Sequence, residues 1–170
     1  MFNIIRVIIN LVIEMKKSLK NVYFFSIIFL IVDQAIKYFI SSKMILNQYT
    51  VIVKNFLNIT YVHNTGAAFS LFDNARVFLI IIGILAVIVF TYYIIKTRTL
   101  NDFNMLTHSL LLGGILGNLF DRIIHGYVID YISLNLFGYH FPIFNFADIC
   151  IVLSVILIFI SQVKGDLWRE

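Results

Sequence analysis

The 170-residue chain is short enough for one domain, and its composition indicates a membrane protein. Hydrophobic residues make up 61% of it and charged residues 13%, which is more apolar surface than a soluble domain of this size can bury. The net charge of +4, from 13 basic and 9 acidic side chains, is too sparse for a water-soluble nucleic-acid binder. The single cysteine, Cys150, excludes a disulfide framework.

Residues 1–20 predict an amphipathic helix that lies in the inner membrane interface. A cleavable signal peptide is not expected, because polar residues interrupt the apolar run. This segment would be an N-terminal extension to a single membrane domain, residues 21–170; alternatively, the protein begins at Met15. The polar residues recur at spacings of three or four: Asn3, Arg6, Asn10, Glu14 and Lys17.

Four apolar segments are each long enough to cross a bilayer as a helix, which takes about 20 residues. They are Val22–Ile40, Val77–Ile95, Met105–Ile124 and Phe146–Val163. An even number of spans puts both termini on one side. Eight lysines and arginines lie on that side and four on the other, so the positive-inside rule predicts that both termini are cytoplasmic.

The segments on the outer side predict a small β platform. Leu57, Ile59 and Tyr61 alternate with other residues at the period of a strand, and a turn-like Asn64-Thr65-Gly66 follows. A similar alternation, then a glycine and the only proline, occurs in Val128–Asn145. The predicted fold is therefore a membrane all-α protein, a bundle of four transmembrane helices, with a small extracytoplasmic β part.

Polar residues within the spans are candidates for function, because a carboxylate in a bilayer is costly. Asp33 and Lys37 are four residues apart, in the order that favours an ion pair within one helix, and a structural role is the simpler explanation. The third span gathers small and polar residues on one arc, which predicts either a site or a polar cluster that fixes helix packing. These residues are Gly114, Gly117, Asn118, Asp121 and Arg122.

Asp130 and Asp148 differ, because neither has a basic residue at helical spacing. Asn145 and Asp148 share a face at the outer end of the fourth span. Two acids held close cannot both ionise and can share one proton, which is the arrangement of aspartic peptidases. Spacing alone leaves two alternatives open: a small proton- or ion-coupled transporter that uses buried carboxylates, and a non-enzymatic membrane scaffold. The four histidines have no metal-ligand spacing, so no metal site is expected.

Five motifs resemble the bacterial lipoprotein signal peptidases (signal peptidase II), in the family's order and with similar separations, over about residues 22–164. They are Asp33-Gln34-Ala35-Ile36-Lys37, Asn64-Thr65-Gly66-Ala67-Ala68-Phe69, Gly113-Gly114-Ile115-Leu116-Gly117-Asn118-Leu119-Phe120-Asp121-Arg122, Val128-Ile129-Asp130-Tyr131 and Phe144-Asn145-Phe146-Ala147-Asp148.

The resemblance implies an aspartic endopeptidase of the bacterial cytoplasmic membrane, with its active site near the outer face. It would remove the signal peptide from prolipoproteins just before the diacylglyceryl-modified lipobox cysteine. Asp130 and Asp148 match the catalytic dyad, and Asp33 and Lys37 match a structural pair. Positions that line or support the site are matched by Asn64, Gly66, Gly114, Asn118, Asp121, Arg122 and Asn145.

The resemblance also implies a four-helix bundle with an extracytoplasmic β-cradle and a small outer helix. No metal or organic cofactor is expected. The implied partners are prolipoprotein substrates, membrane lipid and inhibitors of the globomycin type, and nothing in the sequence requires more than a monomer. Residues around Asn64–Phe69 would hold the extended substrate backbone by β-type pairing.

Overall fold

The described part of the chain contains four long helices and one small antiparallel sheet. The computed structural model describes residues 2–66, 72–96 and 101–167, and side chains within 19–66, 72–96 and 101–163. The helices are α1 (Phe2–Lys43), α2 (Arg76–Lys96), α3 (Asp102–Ile124) and α4 (Phe146–Leu167). The strands are β1 (Tyr49–Val53), β2 (Leu57–Asn64), β3 (Val128–Leu136) and β4 (Tyr139–His140).

The four predicted spans are confirmed as helices long and apolar enough to cross a membrane. Their membrane segments are Leu19–Lys43, Arg76–Lys96, Asp102–Ile124 and Phe146–Val163. The predicted helix at the N-terminus continues into the first span without a break, which gives α1 its 42 residues. A helix of this length extends about 63 Å, roughly twice the hydrocarbon thickness. The interfacial position of residues 1–20, their status as an extension, and a start at Met15 stay predictions.

Helix α3 lies between α1 and α4 and carries most of the buried helical residues. Its glycines allow this close approach: a Cβ on Gly113 would lie 2.7 Å from Cβ of Phe29 in α1. The Ser26 hydroxyl donates to the carbonyls of Val22 and Ser109, and the Ser109 hydroxyl donates to the Met105 carbonyl. Polar side chains of α1 and α4 are thereby brought against the polar arc of α3.

The sheet has the strand order β1-β2-β3-β4, with every neighbouring pair antiparallel. β2 confirms the strand predicted from Leu57, and Val128–Asn145 forms β3, a tight turn and β4. One face of the sheet packs on the C-terminal end of α1, where Ile40 forms a cluster with Ile129 and Tyr131. β1 was not predicted from the sequence.

The small outer helix implied by the resemblance is not found in the described part of the loop from β2 to α2, residues 65–66 and 72–75. Residues 67–71 lie outside the described residues. The predicted pairing segment Asn64–Phe69 therefore falls only partly within them.

Candidate active site

Asp130 lies on β3, opposite Val62 of β2. Its side chain is buried, with 2% of the residue exposed. One carboxylate oxygen accepts a hydrogen bond from Asn64 Nδ2 at 2.9 Å and the other from Asn145 Nδ2 at 2.7 Å. Burial raises the pKa of Asp130 from its ordinary 3.8 to about 7, and the nearby charge of Asp148 adds to the rise.

Asp148 lies in the first turn of α4 and is half-buried. Asn145 caps this helix: its Oδ1 accepts from the Asp148 amide at 3.0 Å, and the Asp148 carboxylate accepts from the Asn145 amide at 3.1 Å. This reciprocal pair is a capping box, which fixes the rotamer of Asp148. The second carboxylate oxygen accepts from Asn118 Nδ2 of α3 at 2.7 Å.

Asn145 hydrogen-bonds to both carboxylates, so one residue brings Asp130 and Asp148 into a single site. Its Nδ2 also contacts Asn118 Oδ1 at 3.1 Å. Asn118 and Asn145 therefore orient each other as well as the carboxylates.

A cavity of about 620 Å³ opens onto the two carboxylates. Asn64, Asn118 and Arg122 lie at its polar end. The remaining wall is apolar and is formed by Val128, Phe141, Pro142, Ile143, Phe144, Ile149, Ile151, Val152, Leu153 and Ile156. The cavity thus places the dyad at one end of an apolar channel along α4.

Lys37 is the centre of a second polar group, the Lys37 cluster (Asp33, Lys37 and Asp121). Its Nζ lies 2.8 Å from Asp33 Oδ2 and 2.9 Å from Asp121 Oδ2, and all three residues are at most 1% exposed. Nζ also donates to Asn118 Oδ1 at 3.2 Å. The predicted Asp33–Lys37 ion pair is therefore present, and a partner from α3 extends it.

Each acid of the Lys37 cluster also binds the backbone amide that precedes a dyad residue. Asp33 Oδ1 accepts from the Ala147 amide at 3.0 Å, and Asp121 Oδ2 accepts from the Ile129 amide at 3.0 Å. The cluster therefore connects α1 and α3 to the backbone next to both Asp148 and Asp130.

Arg122 and Gly66 connect the end of α3 to the loop after β2. Arg122 Nη2 donates to the Gly66 carbonyl at 2.9 Å, and the Gly66 amide donates to Asn64 Oδ1 at 3.0 Å. Asn64 thus has both ends of its amide occupied, one by this loop and one by Asp130.

Gly114 permits the close contact between α3 and α4, because a Cβ there would lie 2.5 Å from the Ala147 carbonyl oxygen and 2.8 Å from Ile151 Cγ1. We expect Gly114→Ala to destabilise the protein by about 1–3 kcal/mol, as overpacking does. Gly83→Ala is the control, since its nearest neighbour is the flexible end of Leu119. Thermal unfolding in detergent measures both, and equal melting temperatures would contradict the close approach.

All the residues predicted for the site lie in these two connected groups. Asn64, Asn118, Arg122 and the dyad line the cavity, while Asn145, Gly66, Gly114 and the Lys37 cluster lie behind it. In the described part of the chain no three His, Cys, Asp or Glu residues are grouped as metal ligands.

Two contributing residues were missed by the sequence analysis. Gln34 donates to Asp121 at 2.8 Å, and the Tyr131 hydroxyl accepts from the Phe146 amide at 3.0 Å. The first three amides of α4 therefore all bind side chains from other elements or from the cap, which satisfies groups that a helix leaves unpaired. Both residues adjoin a predicted acid in the sequence, and that adjacency was the available signal.

Comparison with known proteins identifies the family. A family model for signal peptidase (SPase) II matches residues 25–164. The lipoprotein signal peptidases of Staphylococcus aureus strains JH9 and Newman are each 42% identical over 134 residues, 79% of this chain and 82% of theirs.

Two solved bacterial membrane enzyme structures, determined by the in meso method at 2.3 Å and 1.9 Å resolution, share the fold. The first is 38% identical with a TM-score of 0.81, covering 88% of this chain and 91% of its own. The second is 39% identical with a TM-score of 0.76, covering 84% and 92%. The sequence motifs, the fold and the matched residues together show that the chain belongs to the signal peptidase II family.

Proposed function

We propose that Asp130 and Asp148 are the catalytic dyad of an aspartic endopeptidase that cuts prolipoproteins just before the diacylglyceryl-modified lipobox cysteine. Family membership makes the chain a protease that removes signal peptides from prolipoproteins, and it removes the reason to consider a transporter. The observation that carries the dyad assignment is Asn145, which binds both carboxylates at the polar end of the cavity.

The different burial of the two acids supports a division of roles. Both acids line the cavity, but Asp130 is the more buried, and its pKa of about 7 favours the protonated form. We therefore assign the acid role to Asp130 and the base role to Asp148. Asp148 would take a proton from the attacking water while the water oxygen bonds to the scissile carbonyl carbon. Asp130 would give its proton to the carbonyl oxygen.

Collapse of the tetrahedral intermediate reverses these transfers. The carbon–nitrogen bond breaks, the leaving amine takes the proton from Asp148, and the intermediate's hydroxyl returns its proton to Asp130. Both acids then have their starting protonation states, and one water has been consumed.

The apolar wall of the channel suits a lipid-modified substrate. Its wall along α4 is formed by residues of a membrane segment, so acyl chains or the apolar signal helix can stay in lipid while the peptide bond reaches the dyad. We propose that the channel binds the prolipoprotein, membrane lipid and inhibitors of the globomycin type. The dyad would lie near the outer face, with both termini cytoplasmic and the protein a monomer.

We assign the Lys37 cluster to positioning the dyad. Because Asp33 and Asp121 bind the amides before Asp148 and Asp130, and Lys37 binds both acids, the cluster sets the distance between the two backbone segments. Lys37 also fixes the orientation of the Asn118 amide, so that its Nδ2 faces Asp148. Asn64, Gly66 and Arg122 would hold the opposite side of the site in the same way.

The proposal is tested with purified protein in detergent and two substrates, a diacylglyceryl-modified prolipoprotein and its unmodified precursor. We expect cleavage of the modified substrate alone, just before the lipidated cysteine as located by mass spectrometry. Equal cleavage of both would contradict lipid recognition in the channel. No cleavage by folded protein would contradict the function as a whole.

We also expect turnover to fall as the pH rises through about 7, since Asp130 then loses the proton it must donate.

The fold should weaken in the same direction. The pKa of Asp130 is raised on folding, so the stability contributed by its proton is fully present below about pH 4 and is lost as the pH rises through about 7. Melting temperatures across this pH range measure the change in stability, and the melting temperature of Asp130→Asn should depend less on pH. Wild-type turnover that is constant, or that rises, through pH 7 would contradict the role of Asp130 as the proton donor.

A further inference from the structure

The end of the sheet farthest from the dyad exposes aromatic side chains. This distal end comprises the β1–β2 turn, residues 54–56, and the β3–β4 turn, residues 136–139; the Asn135 amide connects the two by donating to the Phe56 carbonyl at 2.8 Å. Phe56 and Tyr139 are 47% and 59% exposed, and Phe137 is fully exposed at 110%. Nothing in the described part of the chain covers the Phe137 ring.

The backbone at Phe137 makes this exposure more unusual. Phe137 and Gly138 have φ of 54° and 89°, the pair of positive values found in mirror-image hairpin turns. Such turns prefer Asn followed by Gly, and a bulky aromatic residue in this region is uncommon. A phenylalanine that is disfavoured by both the backbone and water indicates a contact with an apolar environment outside the chain.

The edge strand β1 points to the same environment. All five of its residues are exposed, so both faces are open, and its sequence Tyr-Thr-Val-Ile-Val contains no charge and no proline. Edge strands that face water are normally blunted by charged residues or proline, because they otherwise pair with other chains. β1 has neither within it, while Lys54 follows directly and is exposed.

The position of the sheet identifies the bilayer as that environment. Its inner face packs against Ile36 and Ile40, which belong to the membrane segment of α1. The sheet therefore lies beside the last turns of a span and not on a stalk beyond it. Aromatic side chains with flanking lysines are typical of proteins at the lipid headgroup level.

We propose that β1 and the distal end of the sheet form a membrane-contact surface on the side of the bilayer that carries the sheet. Phe137 and Tyr139 enter the interface, and Lys54 meets headgroup phosphates. This contact is independent of the cleavage chemistry. It fixes the height of Asp130 relative to the lipid, since Asp130 lies on the strand that leads to the Phe137 turn.

Tryptophan fluorescence tests the contact in full-length protein. The sequence has one tryptophan, Trp168, so a Trp168→Phe background leaves Phe137→Trp as the only emitter. The protein is reconstituted in nanodiscs of phosphatidylcholine with or without bromine on the acyl chains. Phe78→Trp, at a half-exposed position in the membrane segment of α2, is the control for quenching by lipid.

We expect the emission of Phe137→Trp to fall in brominated lipid, as that of the control does, and to resist aqueous iodide. Quenching by iodide alone would place the side chain in water and overturn the proposal. Resistance to both quenchers would overturn it in favour of a protein partner or a second copy of this chain.

Discussion

Asp148→Asn and Asp130→Asn are each expected to reduce turnover of lipid-modified prolipoprotein by at least about 10³-fold. An amide has the shape of a carboxylate, but it can neither take the proton of the attacking water nor give a proton to the carbonyl oxygen. Each carboxylate touches the cavity and is oriented by asparagines that remain in place. The chemistry should therefore be lost while binding of the substrate persists.

The dyad experiment needs a matched control and a measure of folding. Asp102→Asn changes an exposed acid at the opposite end of α3 and should retain wild-type turnover. Melting temperatures at or above that of the wild type would show that both dyad variants fold, and Asp130→Asn in particular removes a buried acid. Substantial turnover in either dyad variant would contradict its catalytic role.

The fold was largely predictable because its signals are local. Long apolar runs predict the spans, and alternation predicts β2 and β3. β1 was missed because its residues are exposed and mostly apolar on both faces, which removes the alternation that marks a half-buried strand. Its valine, isoleucine and tyrosine content was the remaining signal, since these residues favour strands.

The site was less predictable, because its decisive contacts join distant parts of the chain. Helical spacing reveals Asp33 with Lys37, but the pairing of Lys37 with Asp121 depends on how α1 packs against α3. Similarly, no periodicity predicts that Asp130 and Asp148 meet at Asn145. The family resemblance matched the two acids to one dyad but did not indicate that Asn145 binds both. The Asn145-x-x-Asp148 spacing before an apolar run is a local signal that could have predicted the helix cap.

Lys37→Met is expected to destabilise the protein by about 3–5 kcal/mol, because it leaves two buried carboxylates without their cation. We also expect turnover in the remaining folded protein to fall about 10–100-fold, the usual effect of removing a group that orients a functional side chain. Thermal unfolding and single-turnover cleavage measure the two effects separately. Lys43→Met, at the exposed end of α1, is the matched control and should change neither.

A triple variant distinguishes charge balance from positioning. Adding Asp33→Asn and Asp121→Asn to Lys37→Met removes all three charges but leaves amide oxygens that can accept from the Ala147 and Ile129 amides. We expect it to recover most of the lost stability and part of the lost turnover. Replacing both acids by leucine instead removes the acceptors, and the turnover should stay low at any melting temperature. If the asparagine and leucine variants had the same turnover, the amide contacts would not position the dyad, and the role of the cluster would be limited to neutralising its own buried charges.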